Sequence, residues 1–136
     1  MRVVAIDFGK KRIGLAITDP SGKIALPYKT ILSAPSLAGC ALNVKKELKN
    51  QLPEIETIIV GNPLFSSGEK SSMSNIVEKF VEELKKIFDI PILMVDEGLT
   101  SYQADEQLKE LGLNRKQRSA LSDTSSALII LQSYLN

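Results

Sequence analysis

The hydrophobic positions of this chain change period partway along it. Arg2-Val3-Val4-Ala5-Ile6-Asp7-Phe8 is rich in β-branched residues and runs into Gly9, which predicts a strand closed by a glycine turn. Arg12-Ile13-Gly14-Leu15-Ala16-Ile17-Thr18 predicts a second strand, and Asp19-Pro20-Ser21-Gly22 a turn. A third strand falls within Lys23–Ile31, and connections this short force an antiparallel meander. The pattern then alternates between helix and strand. Leu37, Ala41, Val44 and Leu48 recur at helical spacing, with Lys45, Lys46 and Lys49 on other faces. Thr57-Ile58-Ile59-Val60-Gly61 is continuously apolar, as a buried parallel strand is. A loop rich in Gly and Ser follows from Asn62 to about Ser72. Met73, Ile76, Val77, Phe80, Val81, Leu84 and Phe88 then mark the strongest amphipathic helix.

Pro91-Ile92-Leu93-Met94-Val95 reads as the next buried strand and runs straight into Asp96-Glu97. Thr100 and Gln103 fit a capping box for a helix to about Leu111, ended by Gly112. The basic stretch Asn114-Arg115-Lys116-Gln117-Arg118 leads to a last helix from about Ser119 to Tyr134. The order βββαβαβαα predicts an α/β fold: a mixed sheet of three leading antiparallel strands and two crossover strands, with helices on both faces. No linker, repeat or low-complexity tract divides it, so residues 1–136 read as a single domain.

Composition narrows the class. Hydrophobic residues at 43% and charged residues at 24% fit a soluble globular protein and exclude a disordered one. A net charge of +1 means that any nucleic-acid contact must come from a local basic patch. Cys40 stands alone in an apolar helical segment, which suits a buried small hydrophobe in a reducing compartment. No apolar run reaches transmembrane length, and no signal-peptide pattern opens the chain, so a cytoplasmic protein with no membrane partner is expected.

The candidate chemistry is carried by acids. Asp7 interrupts an apolar strand and, by alternation, projects on the side of Val3 and Ala5. A carboxylate there needs a cationic partner. The chain has no histidine, so a metal partner would be a hard, oxygen-bound ion such as Mg²⁺, Mn²⁺ or Ca²⁺. A turn-capping role through Gly9 is the plainer reading of Asp7 taken alone. Asp96 and Glu97 end the last strand, where ligand sites of α/β sheets collect, and alternation admits only one of them to a site. Asp123 precedes Ala127, Ile130 and Tyr134 on what reads as the buried face of the last helix, although a helix-capping role would also suit it. Asp19 is left to its turn. Three acids from three distant elements make a plausible two-metal cage for phosphodiester chemistry, with ions about 3.5–4 Å apart. Lys10-Lys11-Arg12 and the trio Arg115, Lys116 and Arg118 flank that imagined site and could neutralise phosphates. Gly9, lacking a side chain, would let backbone approach a phosphate.

Asp7-Phe8-Gly9 with Arg12-Ile13-Gly14-Leu15-Ala16 and Thr18-Asp19 resembles the opening signature of the YqgF family of RNase H-like proteins. Val60-Gly61-Asn62-Pro63, Asp96-Glu97-Gly98-Leu99-Thr100-Ser101 and Asp123 with Leu131-Gln132-Ser133-Tyr134-Leu135 resemble its other blocks, in order, over essentially the whole chain. The resemblance implies an RNase H-like fold and a metal-dependent nuclease using Mg²⁺ or Mn²⁺. It implies Asp7, Glu97 and Asp123 as the catalytic and metal-holding acids, and it is the resemblance that selects Glu97 over Asp96. Members are described as Holliday-junction resolvases, and bacterial ones as nucleases for the 5′ end of pre-16S ribosomal RNA. The implied partner is therefore precursor ribosomal RNA or branched DNA, and a resolvase would act as a homodimer because it must cut two strands. Gly98 stands where the family has Arg, Asn62 where it has Leu, and Ser125 and Ser126 where it has paired alanines. Loss of the Arg removes a phosphate or structural contact, which keeps a non-catalytic ribosome-assembly factor as a rival. An actin-like ATPase or sugar kinase shares the Asp-x-Gly turn but needs two such domains.

Overall fold

The computed structural model describes residues 1–63, 71–96, 112 and 126–136. Its strands are β1 (Arg2–Phe8), β2 (Arg12–Thr18), β3 (Ala25–Leu32), β4 (Ile55–Asn62) and β5 (Ile92–Asp96). The helices are α1 (Leu37–Leu48), α2 (Ser72–Ile87) and a C-terminal helix, α3, whose described part covers 126–135. A single 3-10 turn, Leu52–Glu54, precedes β4 and was not apparent from the sequence pattern.

The strands form one sheet in the order β3-β2-β1-β4-β5. β1, β2 and β3 are the expected antiparallel meander, and β4 and β5 join β1 in parallel. Three parallel strands therefore bring the C-terminal ends of β1, β4 and β5 to one edge of the sheet.

Alternation divides the sheet into two cores. Val4, Ile6, Phe8, Ile13, Leu15, Ile17, Ile58 and Val60 pack beneath α1 and α2. There Phe8 and Phe80 stack with ring centroids 4.7 Å apart. Val3, Ala5, Ala16 and Ile59 meet Ala127, Ile130 and Leu131 of α3 on the other face. The residues on this second face of β1 and β2 are small, so α3 can lie close to the sheet. α1 and α2 both begin at serine caps: Ser36 Oγ accepts from Gly39 N–H at 3.0 Å, and Ser71 Oγ accepts from Ser74 N–H at 3.1 Å. Cys40 is buried, as expected, its sulfur accepting from Ala34 N–H at 3.3 Å.

Two expectations are corrected. β5 is an edge strand and not a buried one: Leu93 and Met94 are 46% and 42% exposed, and only Ile92 is buried. In α3, Tyr134 is 40% exposed, because the inward stripe runs through Ala127, Leu131 and Leu135 at i, i+4 spacing and leaves Tyr134 to one side of it. The helix expected from Thr100 to Leu111 lies outside the described residues. Gly112 itself has φ +79°, a backbone conformation that glycine adopts without strain. No helix among the described residues is long and apolar enough to cross a membrane.

Candidate active site

Asp7 is the penultimate residue of β1, half-buried, at the edge where the parallel strands end. Its neighbours by alternation, Val3 and Ala5, belong to the core beneath α3, so its carboxylate is on that face as the sequence implied. Its register partner on β2 is Gly14, and Gly14 in turn pairs with Thr30 on β3. The strand beside Asp7 thus offers no side chain at that level, and a hydroxyl follows one strand further out.

Asp96 is separated from Asp7 by the sheet itself. Asp96 pairs with Asn62, whose Oδ1 accepts from Ser74 Oγ of α2 at 2.6 Å, while its predecessor Val95 packs toward α3. Asp96 is therefore on the α2 face. Of the adjacent acids, this removes Asp96 from Asp7's side. Glu97, Asp123, Arg115, Lys116 and Arg118 lie outside the described residues, so the expected three-acid cage is represented here by Asp7. Among the described residues no three acids, cysteines or histidines converge as metal ligands.

The turn between β1 and β2 is tightly built. A Cβ on Gly9 would lie 2.5 Å from the Arg12 carbonyl oxygen, so only glycine fits without a shift. Lys10 and Lys11 are exposed on this turn, and Arg12 is half-buried at the start of β2. Ser33, just after β3, closes the turn from outside: its Oγ donates to Gly9 O at 2.7 Å and its N–H donates to Lys11 O at 2.9 Å. Sequence reading passed over Ser33, because no local pattern shows that it meets a turn 24 residues earlier.

Asp19 is confirmed as a turn residue at the opposite edge. It accepts from Ser21 Oγ at 2.6 Å and from the N–H groups of Lys23 and Ile24 at 3.0 and 2.9 Å. The Ser21 hydroxyl, followed by the Ile24 amide, lowers its pKa from 3.8 to about 2. A cleft of about 500 Å³ lies between β3 and α1, but its charged lining is occupied by the Lys29–Glu47 ion pair at 2.7 Å. The Glu47 carboxylate raises the Lys29 pKa. The one acid lining that cleft, Glu47, is already paired with Lys29, so Asp7's edge remains the better candidate for chemistry.

The family model described as "RuvX: Holliday junction resolvase" matches residues 1–136. A "Putative pre-16S rRNA nuclease" of Protochlamydia amoebophila (strain UWE25) is 40% identical, covering 99% of this chain and 93% of its own length. A protein of the same name from Chlorobium phaeobacteroides (strain BS1) is 42% identical, covering 98% and 91%. Among solved structures, "T. thermophilus RuvC in complex with Holliday junction substrate" matches 100% of this chain and 96% of that one, with a TM-score of 0.56 and 17% identity. At that identity the likeness is one of fold, the RNase H-like sheet. With a match over every residue and relatives near 40% identity, the chain belongs to the RuvX (YqgF) family.

Proposed function

We propose that this protein is a metal-dependent nuclease that hydrolyses phosphodiester bonds in structured nucleic acid, with 5′-end processing of pre-16S ribosomal RNA as its role in ribosome biogenesis. The observation that carries this reading is the placement of Asp7: a half-buried carboxylate at the parallel-strand edge, on the α3 face, beside a glycine. The names carried by its relatives supply the substrate.

The donor set suits a hard divalent ion. The chain has no histidine, and the Cys40 sulfur is buried against Ala34, so the ligands at hand are oxygens. Mg²⁺ or Mn²⁺ fits that set better than zinc does. When bound, such ions supply an activated water and neutralise the leaving oxygen. Asp7 holds them from β1, with Glu97 and Asp123 as the other acids of the site. Gly9 lets the backbone approach the scissile phosphate. Lys10, Lys11 and Arg12, with Arg115, Lys116 and Arg118, hold flanking phosphates without reading sequence. The residues 1–136 act as one domain, in the cytoplasm where ribosomes are assembled.

A second reading, cleavage of branched DNA by a homodimer, is favoured by the resolvase description of the family and by the fold shared with a junction-bound resolvase. A third, non-catalytic assembly, stays tied to Gly98 in place of Arg. One experiment separates them. A labelled RNA with a ribosomal-precursor 5′ leader and a four-way DNA junction are each incubated with Mn²⁺, with EDTA, and with the Asp7→Asn variant. The expected result is cleavage of the RNA that needs both metal and Asp7. Cleavage of the junction alone would transfer the assignment to DNA, and binding of either without cleavage would leave an assembly factor.

A further inference from the structure

We propose that Ser33 is a positioning residue for substrate binding, holding the β1–β2 turn so that Lys10 and Lys11 are presented together to phosphates. The inference rests on the reading that this turn contacts nucleic acid, and it assigns a role to a residue outside every motif of the sequence.

β2 and β3 are paired up to Arg12 and Leu32, so Ser33 is the first residue beyond the last pair and lies level with the turn. It uses both of its donors there. Its hydroxyl takes the Gly9 carbonyl at 2.7 Å and its backbone N–H takes the Lys11 carbonyl at 2.9 Å. The two acceptors bracket Lys10. From within, Gly9 approaches the Arg12 carbonyl so closely that no Cβ fits. The turn is thus held from inside by the glycine and from outside by the serine.

This restraint bears on binding through entropy. Lysine side chains are long, and fixing one on a phosphate costs rotamer freedom. If the backbone beneath two adjacent lysines also wandered, that further ordering would be charged to each binding event. A turn ordered beforehand removes it. Ser33 touches neither a phosphate nor Asp7 in this scheme, so its loss should weaken binding and spare the chemical step.

The test uses the full chain with Ser33→Ala, Ser33→Thr and the Lys10→Ala/Lys11→Ala double variant. Affinity for a labelled precursor-leader RNA and for a four-way DNA junction is measured by anisotropy, with kcat and KM on whichever is cleaved. Amide exchange at Lys10, Lys11 and Arg12 is followed without ligand. Ser33→Ala is expected to raise Kd or KM about three- to tenfold, the range for one lost hydrogen bond, with kcat held within about twofold. The turn amides should exchange faster, and Ser33→Thr, which keeps the hydroxyl, should restore both. If the double lysine variant weakens binding while Ser33→Ala does not, this inference fails and the phosphate role of the turn stands. If the double variant binds as wild type, the phosphate role fails and this inference with it. A fall in kcat and thermal stability alongside the rise in KM would reduce Ser33 to a merely structural residue and overturn the proposal.

Discussion

Asp7 and Asp96 end neighbouring parts of the same sheet edge on opposite faces. Asp7 shares its face with Ala5 and α3, whereas Asp96 pairs with Asn62 on the side of α2. The two carboxylates therefore cannot serve one metal cluster through the sheet, and their substitutions should differ in effect. Asp7→Asn is expected to lower metal-dependent cleavage by on the order of a hundredfold or more, the scale on which enzymes lose a reacting group. Asp96→Asn should change the rate by no more than about twofold, as a substitution away from the site does. Single-turnover cleavage in Mn²⁺ checks the pair, and equal losses would put Asp96 back in the site.

The start of β1 is tied to the end of β2 by a side chain, one residue beyond the pair Val4–Ile17 at which their pairing begins. Val3 N–H donates to Thr18 Oγ1 at 2.9 Å, and both residues are buried. Thr18→Val keeps the shape but strands the Val3 donor, which should cost about 1–3 kcal/mol. Thr18→Ser keeps the acceptor and should recover most of the loss. Urea unfolding of the two variants reads this directly. Equal stability in wild type and Thr18→Val would mean that water reaches Val3 N–H.

How much of this was legible beforehand follows from the range of each signal. Asp7's face came from strand parity, a local property, and the sheet bears it out. The meander was legible for the same reason, since short loops leave one pairing. The choice between Asp96 and Glu97 was not, because it depends on the register Asn62↔Asp96, set by two strands far apart in sequence. The apolar run Pro91–Val95 suggested burial, yet an apolar run does not tell whether a second strand covers its flank, and Leu93 and Met94 are exposed. Ser33 carries no local sign at all, because its meaning lies in its contact with Gly9. The remaining acids and bases of the candidate site, from Glu97 to Asp123, lie outside the described residues.

Gly9 should tolerate no side chain. A Cβ would fall 2.5 Å from the Arg12 carbonyl oxygen, and that atom is backbone of a residue paired with Leu32 in the β2–β3 ladder, so it cannot swing aside. Gly9→Ala is expected to destabilise the fold by about 1–3 kcal/mol, the usual cost of overpacking. It should also displace Lys10 and Lys11, weakening nucleic-acid binding beyond what the stability loss explains. Denaturation midpoints and anisotropy on the same preparation test both halves. An unchanged midpoint would show that the turn opens freely, which would also remove the reason for a glycine there.

Asp19 offers a pH signature that is separate from the site. Its folded pKa of about 2 lies below the ordinary value of 3.8, because Ser21 Oγ and the Ile24 and Lys23 amides hydrogen-bond the ionised carboxylate. The sign follows from linkage: a depressed acid stabilises the fold where it is ionised in both states, above 3.8. That contribution declines as pH falls below 3.8 and is lost on passing through about 2. Asp19→Asn should therefore be less stable than wild type at neutral pH, with the gap closing across that acid window. Because the carboxylate is exposed, salt and water moderate the size of the gap but not its direction. Following the Asp19 carboxyl by NMR should give a midpoint near 2, whereas a midpoint at 3.8 would mean that the three hydrogen bonds do not persist in solution.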